Sequence, residues 1–317
     1  VNAGTDFVLP FDVGHLGLRG RLVRLGPVLD RVLGQHDYPE AVSTLLAETM
    51  AISAALASIL KIEGVFTLQA QGDGAVSTLV CDVAHPGAMR GYAKFDAARV
   101  AKRMAFRPDG PLGPVRRLLG AGHLAFTLDQ GPDTERYQGV VALDGSTVAE
   151  CVDLYFRDSE QIATLFRTAV RRIDGAWHAG ALMIQKVPGA SPPEAANDFD
   201  AVPLDADAAE EEAWREAIAL AATATEEELA GPATSAATTV DRLFRLAGVE
   251  SFEPQPLAFG CRCSRERVNA VLRSFPAEEI GQMVNPDGRI EAKCEFCSSV
   301  YGFLPEEIAG PGTNAPA

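Results

Sequence analysis

The sequence predicts an α+β protein: an antiparallel sheet with buried helices, then a helical linker and a small C-terminal zinc-binding module. Three observations predict it. Tight-turn signals (Gly72-Asp73-Gly74, Asp144-Gly145 and Asp174-Gly175) recur between short apolar runs, which is how consecutive antiparallel strands are joined. One long segment after Pro39 is apolar with helical spacing. Four of the six cysteines fall in two tight pairs near the C-terminus, Cys261-Arg-Cys263 and Cys294-Glu-Phe-Cys297.

Residues 1–17 read as a loose lead-in. Leu18 to Leu25 alternates and is expected to be a strand with one buried face. Pro27 opens a short helix, Val28 to Leu33, which Gly34 ends. Pro39 starts the longest helix, running to about Lys61. Leu45, Ile52, Leu56 and Ile59 mark one face, while Leu46, Leu60 and many alanines fill the others. A helix this apolar all round belongs under a sheet. Val65 to Gln71, Val76 to Val83 and Met89 to Phe95 follow as strands. After a Pro/Gly-rich loop come His123 to Leu128 and Arg136 to Leu143. Thr147 to Phe156 has helical spacing, with Val148, Val152, Tyr155 and Phe156 on one side. Thr164 to Ile173 and Ala176 to Val187 make the last hairpin of a core domain over residues 1–195.

Composition changes at residue 196. Residues 196–253 carry fourteen acidic side chains against three basic ones (Arg215, Arg242 and Arg245), which is −11 of the chain's −15. Trp214, Ile218 and Ala221 recur at helical spacing, and Val240, Leu243, Phe244 and Leu246 mark a second helical piece beyond Gly231-Pro232. Most other apolar residues here are alanine, so the helices have propensity but little area to bury. The clusters Glu210 to Glu212 and Glu226 to Glu228 add like-charge repulsion. Residues 196–255 are therefore expected to form either a plain solvated linker or a metastable one, folded only while its neighbour is folded. The module at 256–305 follows, then a tail at 306–317.

Two Cys pairs separated by a loop can present four thiolates, Cys261, Cys263, Cys294 and Cys297, to one Zn2+ in a tetrahedron. Asp287-Gly288 and the alternating run Arg289 to Lys293 suggest a hairpin delivering Cys294. A segment this short cannot bury enough core to fold alone and needs its metal. The residues leave two readings open: a purely structural zinc ribbon that docks a folded partner, or a redox centre. Two thiolates as close as Cys261 and Cys263 are well placed to oxidise once the metal is gone. Arg262, Arg265, Arg267 and Lys293 should favour negative sulfur. A thiol-disulfide oxidoreductase is disfavoured, because neither pair opens a helix in a thioredoxin-like βαβ unit.

The rest of the chain excludes more than it proposes. The net charge of −15 argues against a nucleic-acid partner. No leading segment has the make-up of a secretion signal, and Ala41 to Leu60 includes Glu48 and many small polar residues, so no membrane span is expected. With metal-bound rather than disulfide-paired cysteines, a cytoplasmic location is expected. No nucleotide-binding loop, nucleophile elbow or zinc-protease motif occurs, so no enzyme activity or catalytic residue is expected. Gln71 to Gly74 precedes no helix and reads as a hairpin turn. His15, His36, His85, His123 and His178 are scattered, and Cys81 and Cys151 read as small buried residues.

Taken together, several stretches resemble the redox-regulated 33-kDa heat-shock chaperone family of bacterial holdases. They are Leu18 to Leu25, His36 to Pro39, Gln69 to Gly74, Arg90 to Tyr92, Glu135 to Val141, Tyr155 to Gln161, Cys261 to Arg267 and Cys294 to Cys297, all in the family's order. The resemblance implies that Cys261, Cys263, Cys294 and Cys297 hold one zinc in an inactive reduced form. It implies that oxidation joins Cys261 with Cys263 and Cys294 with Cys297, that zinc then leaves and the linker unfolds, and that the chain binds unfolding proteins without ATP, as a homodimer. Residues 196–253 occupy the linker position, and Cys151 lies outside the switch.

Overall fold

The computed structural model describes residues 5–60, 63–106, 113–131, 134–187 and 206–309. The boundary expected at 195, the start of the linker and the tail from 310 lie outside them. By its internal contacts the chain divides into residues 1–259 and residues 260–317. The fold is mixed α+β, as expected, but the antiparallel strands form more than one sheet.

The first unit is built as follows. Strands β1 (Phe7–Val13) and β2 (Leu18–Leu25) precede helices α1 (Pro27–Leu33) and α2 (Glu40–Ala57). Next come β3 (Val65–Gly72), β4 (Val76–Ala84), β5 (Ala88–Phe95), α3 (Ala97–Ala105), β6 (Gly122–Asp129) and β7 (Tyr137–Ala142). Helix α4 (Val148–Tyr155) leads to β8 (Thr164–Ile173) and β9 (Ala176–Lys186). Helices α5 (Ala206–Ala222), α6 (Glu226–Ala230) and α7 (Ala236–Phe244) follow, then short strands β10 (Val249–Ser251), β11 (Gln255–Pro256) and β12 (Ala258–Phe259). One sheet has the order β10-β1-β2-β9-β8, with β11 also on β1; the other has the order β12-β5-β4-β3-β6-β7. All of these pairings are antiparallel except β12 with β5.

Helix α2 packs against strands of both sheets. Fourteen of its residues are buried, which explains why its sequence is apolar on most sides. It is long and apolar enough to cross a membrane, but this helix is enclosed by the fold.

The lead-in expected at residues 1–17 is instead strand β1, paired with β2 over seven positions. It lacks the two-residue alternation of a half-buried strand because both of its faces are covered: Val8 packs in the core around α2, while Leu9, Phe11 and Val13 pack on the opposite side. Pro10 is tolerated because of where it sits. Its carbonyl accepts from Phe252 N at 2.9 Å, so its missing N–H also faces the outer edge, where pairing passes from β11 to β10. Helix α3 was not expected either; Asp96 caps it by accepting from Arg99 N at 2.9 Å, and only Val100 is buried on it.

The first sheet is apolar on both faces. Val23, Leu25, Ala179, Ala181 and Met183 face the α2 core; Leu18, Leu22, Leu182 and Ile184 alternate with them and face α5, α6 and α7. Those helices cover the second face closely. A Cβ at Gly180 would lie 1.9 Å from the carbonyl oxygen of Leu229, so only glycine lets α6 approach β9 this far.

The second unit contains α8 (Arg265–Leu272), α9 (Ala277–Gln282), the hairpin β13 (Ile290–Lys293) and β14 (Val300–Phe303), and α10 (Pro305–Ala309). Its buried apolar set among the described residues is Leu272, Ile280, Ile290, Phe303 and Ile308. The Asn285 side chain accepts from Asp287 N and Arg289 N, closing the turn that the Asp287-Gly288 signal predicts.

Candidate metal centre

Two loops bring the four cysteines together. Cys261 and Cys263 lie just ahead of α8, whose N-cap Ser264 accepts from Arg267 N at 3.2 Å and so fixes where the first pair ends. Cys294 and Cys297 form the tip of the β13–β14 hairpin, where Cys294 N donates to Ser299 O at 2.9 Å and Ser298 N to Cys294 O at 2.8 Å. That tight loop turns the Phe296 and Cys297 amides onto the Cys294 sulfur.

The four Sγ atoms all lie within 4.8 Å of one another. Cys261 is 3.4 Å from Cys263 and 3.7 Å from Cys294, and Cys263 is 3.3 Å from Cys297. A tetrahedron with metal–sulfur bonds of about 2.3 Å has sulfur–sulfur edges of about 3.8 Å, so the donor set matches a four-sulfur metal site in number, type and spacing. Four sulfurs this close cannot all be negative without a cation among them, and their protonation is unequal. Burial pushes Cys263 up to about 12; the Tyr301 hydroxyl opposes this, and the neighbouring thiols add to it. Cys297 comes down to about 6: burial opposes this, but the Ser299 hydroxyl and amide and the adjacent thiols outweigh it. Among the described residues, no other group of three or more His, Cys, Asp or Glu side chains is placed to hold a metal.

The surrounding side chains differ from the sequence reading. Arg265 does not serve the sulfurs. It donates to both carboxylate oxygens of Glu307 at 2.9 Å and to Gly302 O at 2.7 Å, and its guanidinium lies 4.4 Å from the centre of the Phe303 ring. It therefore ties α8 to β14 and α10. Arg267 is spent on the Arg262 carbonyl at 2.5 Å. Two side chains that do touch sulfur are Tyr301, whose hydroxyl donates to Cys263 Sγ at 3.1 Å, and Ser299, whose Oγ is 3.2 Å from Cys297 Sγ. Nothing in the sequence singles them out except their position just past the second pair.

The other candidates do not converge. Burial pushes the Cys81 thiol up to about 12 and the Cys151 thiol up to about 11, so both are poor nucleophiles at neutral pH. His36 packs against Tyr38 and Tyr92. The Gln71 to Gly74 turn is structural, with Asp73 accepting from Ala121 N at 2.9 Å.

The Hsp33 protein family model matches residues 6–304. The chain is 42% identical over 305 residues to the 33 kDa chaperonin of Caulobacter vibrioides, covering 95% of each. It is 36% identical over 318 residues to that of Pseudomonas savastanoi pv. phaseolicola, covering 99% of this chain and 97% of the other. Identity to that of Escherichia coli O7:K1 is 33% over 301 residues, covering 95% and 93%. A solved 33 kDa chaperonin from Thermotoga maritima has the same fold, with a TM-score of 0.74 at 21% identity, covering 96% of this chain and 97% of that one.

Proposed function

The chain belongs to the Hsp33 family, and from that premise we propose that it is a redox-regulated holdase, which binds unfolding proteins without ATP and prevents their aggregation. The observation that carries this reading is the second face of the first sheet. Leu9, Phe11, Val13, Leu18, Leu22, Leu182 and Ile184 form a continuous apolar surface whose cover is α5, α6 and α7. A surface of that kind, hidden at rest and bared on demand, is what a holding chaperone needs.

In the reduced form Cys261, Cys263, Cys294 and Cys297 hold one Zn2+, which supplies folding free energy to a unit whose own core is small. Peroxide converts the thiolates to the disulfides Cys261–Cys263 and Cys294–Cys297. Each pair of thiolates gives up two electrons, and each peroxide takes up those electrons with two protons from water and leaves as two waters. The sulfur–sulfur distances across the cluster are similar, so this pairing rests on the family resemblance. Disulfide sulfurs carry no charge with which to hold the metal, and residues 256–305 lose their main support. The linker, residues 196–255, leads directly into that module, and its described part from residue 206 loses its fold next. The bared apolar face then captures unfolding clients, and the oxidised chain acts as a homodimer in the cytoplasm.

The test is light scattering of a chemically unfolded client diluted into buffer without ATP. Suppression by the peroxide-treated protein and not by the reduced zinc-loaded one, reversed by reductant plus zinc, is the expected result. Equal suppression by both would make the zinc structural and the chaperone unregulated. No suppression by either would leave a zinc-ribbon binding module.

A further inference from the structure

We propose that Tyr301 is a shielding residue for Cys263: its phenol O–H, donated to Cys263 Sγ at 3.1 Å, slows attack by that sulfur on oxidants. The inference rests on the redox reading above. The hydrogen bond is built by the fold and not by a chance rotamer. Tyr301 sits on β14 opposite Ala292 on β13, the strand that runs into Cys294. Its ring packs against the core of Leu272, Ile280, Ile290, Phe303 and Ile308. The same hairpin thus presents Cys294 and Cys297 at its tip and aims a phenol at a sulfur of the other pair.

The chemistry that follows concerns the sulfur lone pair. In oxidation, the Cys263 sulfur attacks one peroxide oxygen; the S–O bond forms, the O–O bond breaks, and hydroxide leaves and is protonated to water. The partner thiolate then attacks the sulfenic sulfur, forming the S–S bond as the S–O bond breaks and a second hydroxide leaves. Tyr301 is not consumed. With zinc bound, Cys263 would be held as a thiolate whatever its affinity for a proton when free, and the phenol O–H then withdraws charge from the attacking lone pair, lowering its nucleophilicity. Groups hydrogen-bonded to metal ligands tune ligand reactivity in this way. The consequence is a first pair that resists brief or weak oxidant exposure.

The test uses the full-length, reduced, zinc-loaded protein and its Tyr301→Phe variant, which keeps the packed ring and removes only the hydroxyl. Each is treated with iodoacetamide, and separately with peroxide, and modification of each cysteine is followed by peptide mass spectrometry. Cys263 in the variant is expected to react about three- to tenfold faster, the scale of one lost hydrogen bond, while Cys294 and Cys297 stay within about twofold of wild type. An unchanged Cys263 rate overturns the inference. So does a uniform acceleration at all four cysteines, which would mean that the tyrosine only supports the hairpin. A wild-type chain that takes up no zinc overturns the redox reading itself, and zinc content measured on the same samples separates that failure from the others.

Discussion

A Cβ at Gly20 would lie 2.0 Å from the Phe11 ring, and that ring stacks on Phe244 with centroids 5.6 Å apart. Single positions of this kind hold the linker helices on the sheet. Arg24 is another. It is 8% exposed, and its guanidinium donates to the carbonyls of Glu228, Gly231 and Thr234, the last at 3.2 Å. Glu48 is a buried carboxyl whose charge bears on stability. Burial within α2 pushes its carboxyl up to about 7, against weak bonds donated by Ala149 N at 3.4 Å and Thr168 Oγ1 at 3.2 Å. Burial likewise pushes Asp153 up to about 8. With folded values above unfolded ones, the native state holds more protons, so stability falls as pH rises from about 4.5 through 7. Glu48→Gln should flatten the fall in Tm between pH 5 and 8 and stabilise the protein at pH 8 by up to about 3 kcal/mol. A slope matching wild type would show that Glu48 stays charged throughout. At this scale the cysteines are legible in the sequence, because four sulfurs that could hold one metal ion are recognisable by type and spacing. Tyr301 is not, since an aromatic residue in a short strand reads as core.

The linker helices show which elements can be read and which cannot. Their spacing locates α5 and α7, but the buried stripe on α5 is Ala213, Ala217 and Ala221, while Ile218 is 37% exposed. Leu246, placed by its spacing with Leu243 and Phe244, is 96% exposed, because the chain leaves the helix at Phe244 for a 3-10 turn. The acidic cluster before Gly231 is not simply repulsive. Glu228 closes a capping box with Thr225 and pairs with Arg242, and Glu227 pairs with Arg171 of β8. Small alanine contacts joined by a few specific anchors make up the cover, which in the proposed mechanism comes off while the sheet beneath stays folded. Phe244 is the largest of those anchors and is fully buried. Phe244→Ala should cost about 3–5 kcal/mol and release the cover without oxidant. The reduced, zinc-loaded variant is then expected to suppress client aggregation, while Leu246→Ala behaves as wild type. A reduced Phe244→Ala protein that stays inactive although its linker amides have lost protection would separate the linker from client binding. Strand β1 is illegible for a related reason: a strand covered on both faces loses its alternation, and Pro10 disguises it further.

For the whole molecule, the division of labour follows from how much each unit can bury. Residues 1–259 enclose an extensive core around α2, whereas the second unit has five buried apolar side chains among its described residues, so the proposed metal would matter most there. Turn signals and helical spacing make the α+β class legible, but not the arrangement of strands into two sheets. That arrangement depends on contacts between residues far apart in sequence, such as β2 with β9 and β3 with β6. In the proposed mechanism the cysteine state of residues 261–297 governs whether the linker covers the first sheet. Hydrogen exchange of the full chain, read over residues 206–247, tests it most directly. The reduced zinc-loaded protein should protect these amides, and peroxide should remove that protection while β3, β4 and β6 keep theirs. Equal protection over residues 206–247 before and after complete oxidation of the four cysteines would mean that the cysteine state does not control the cover.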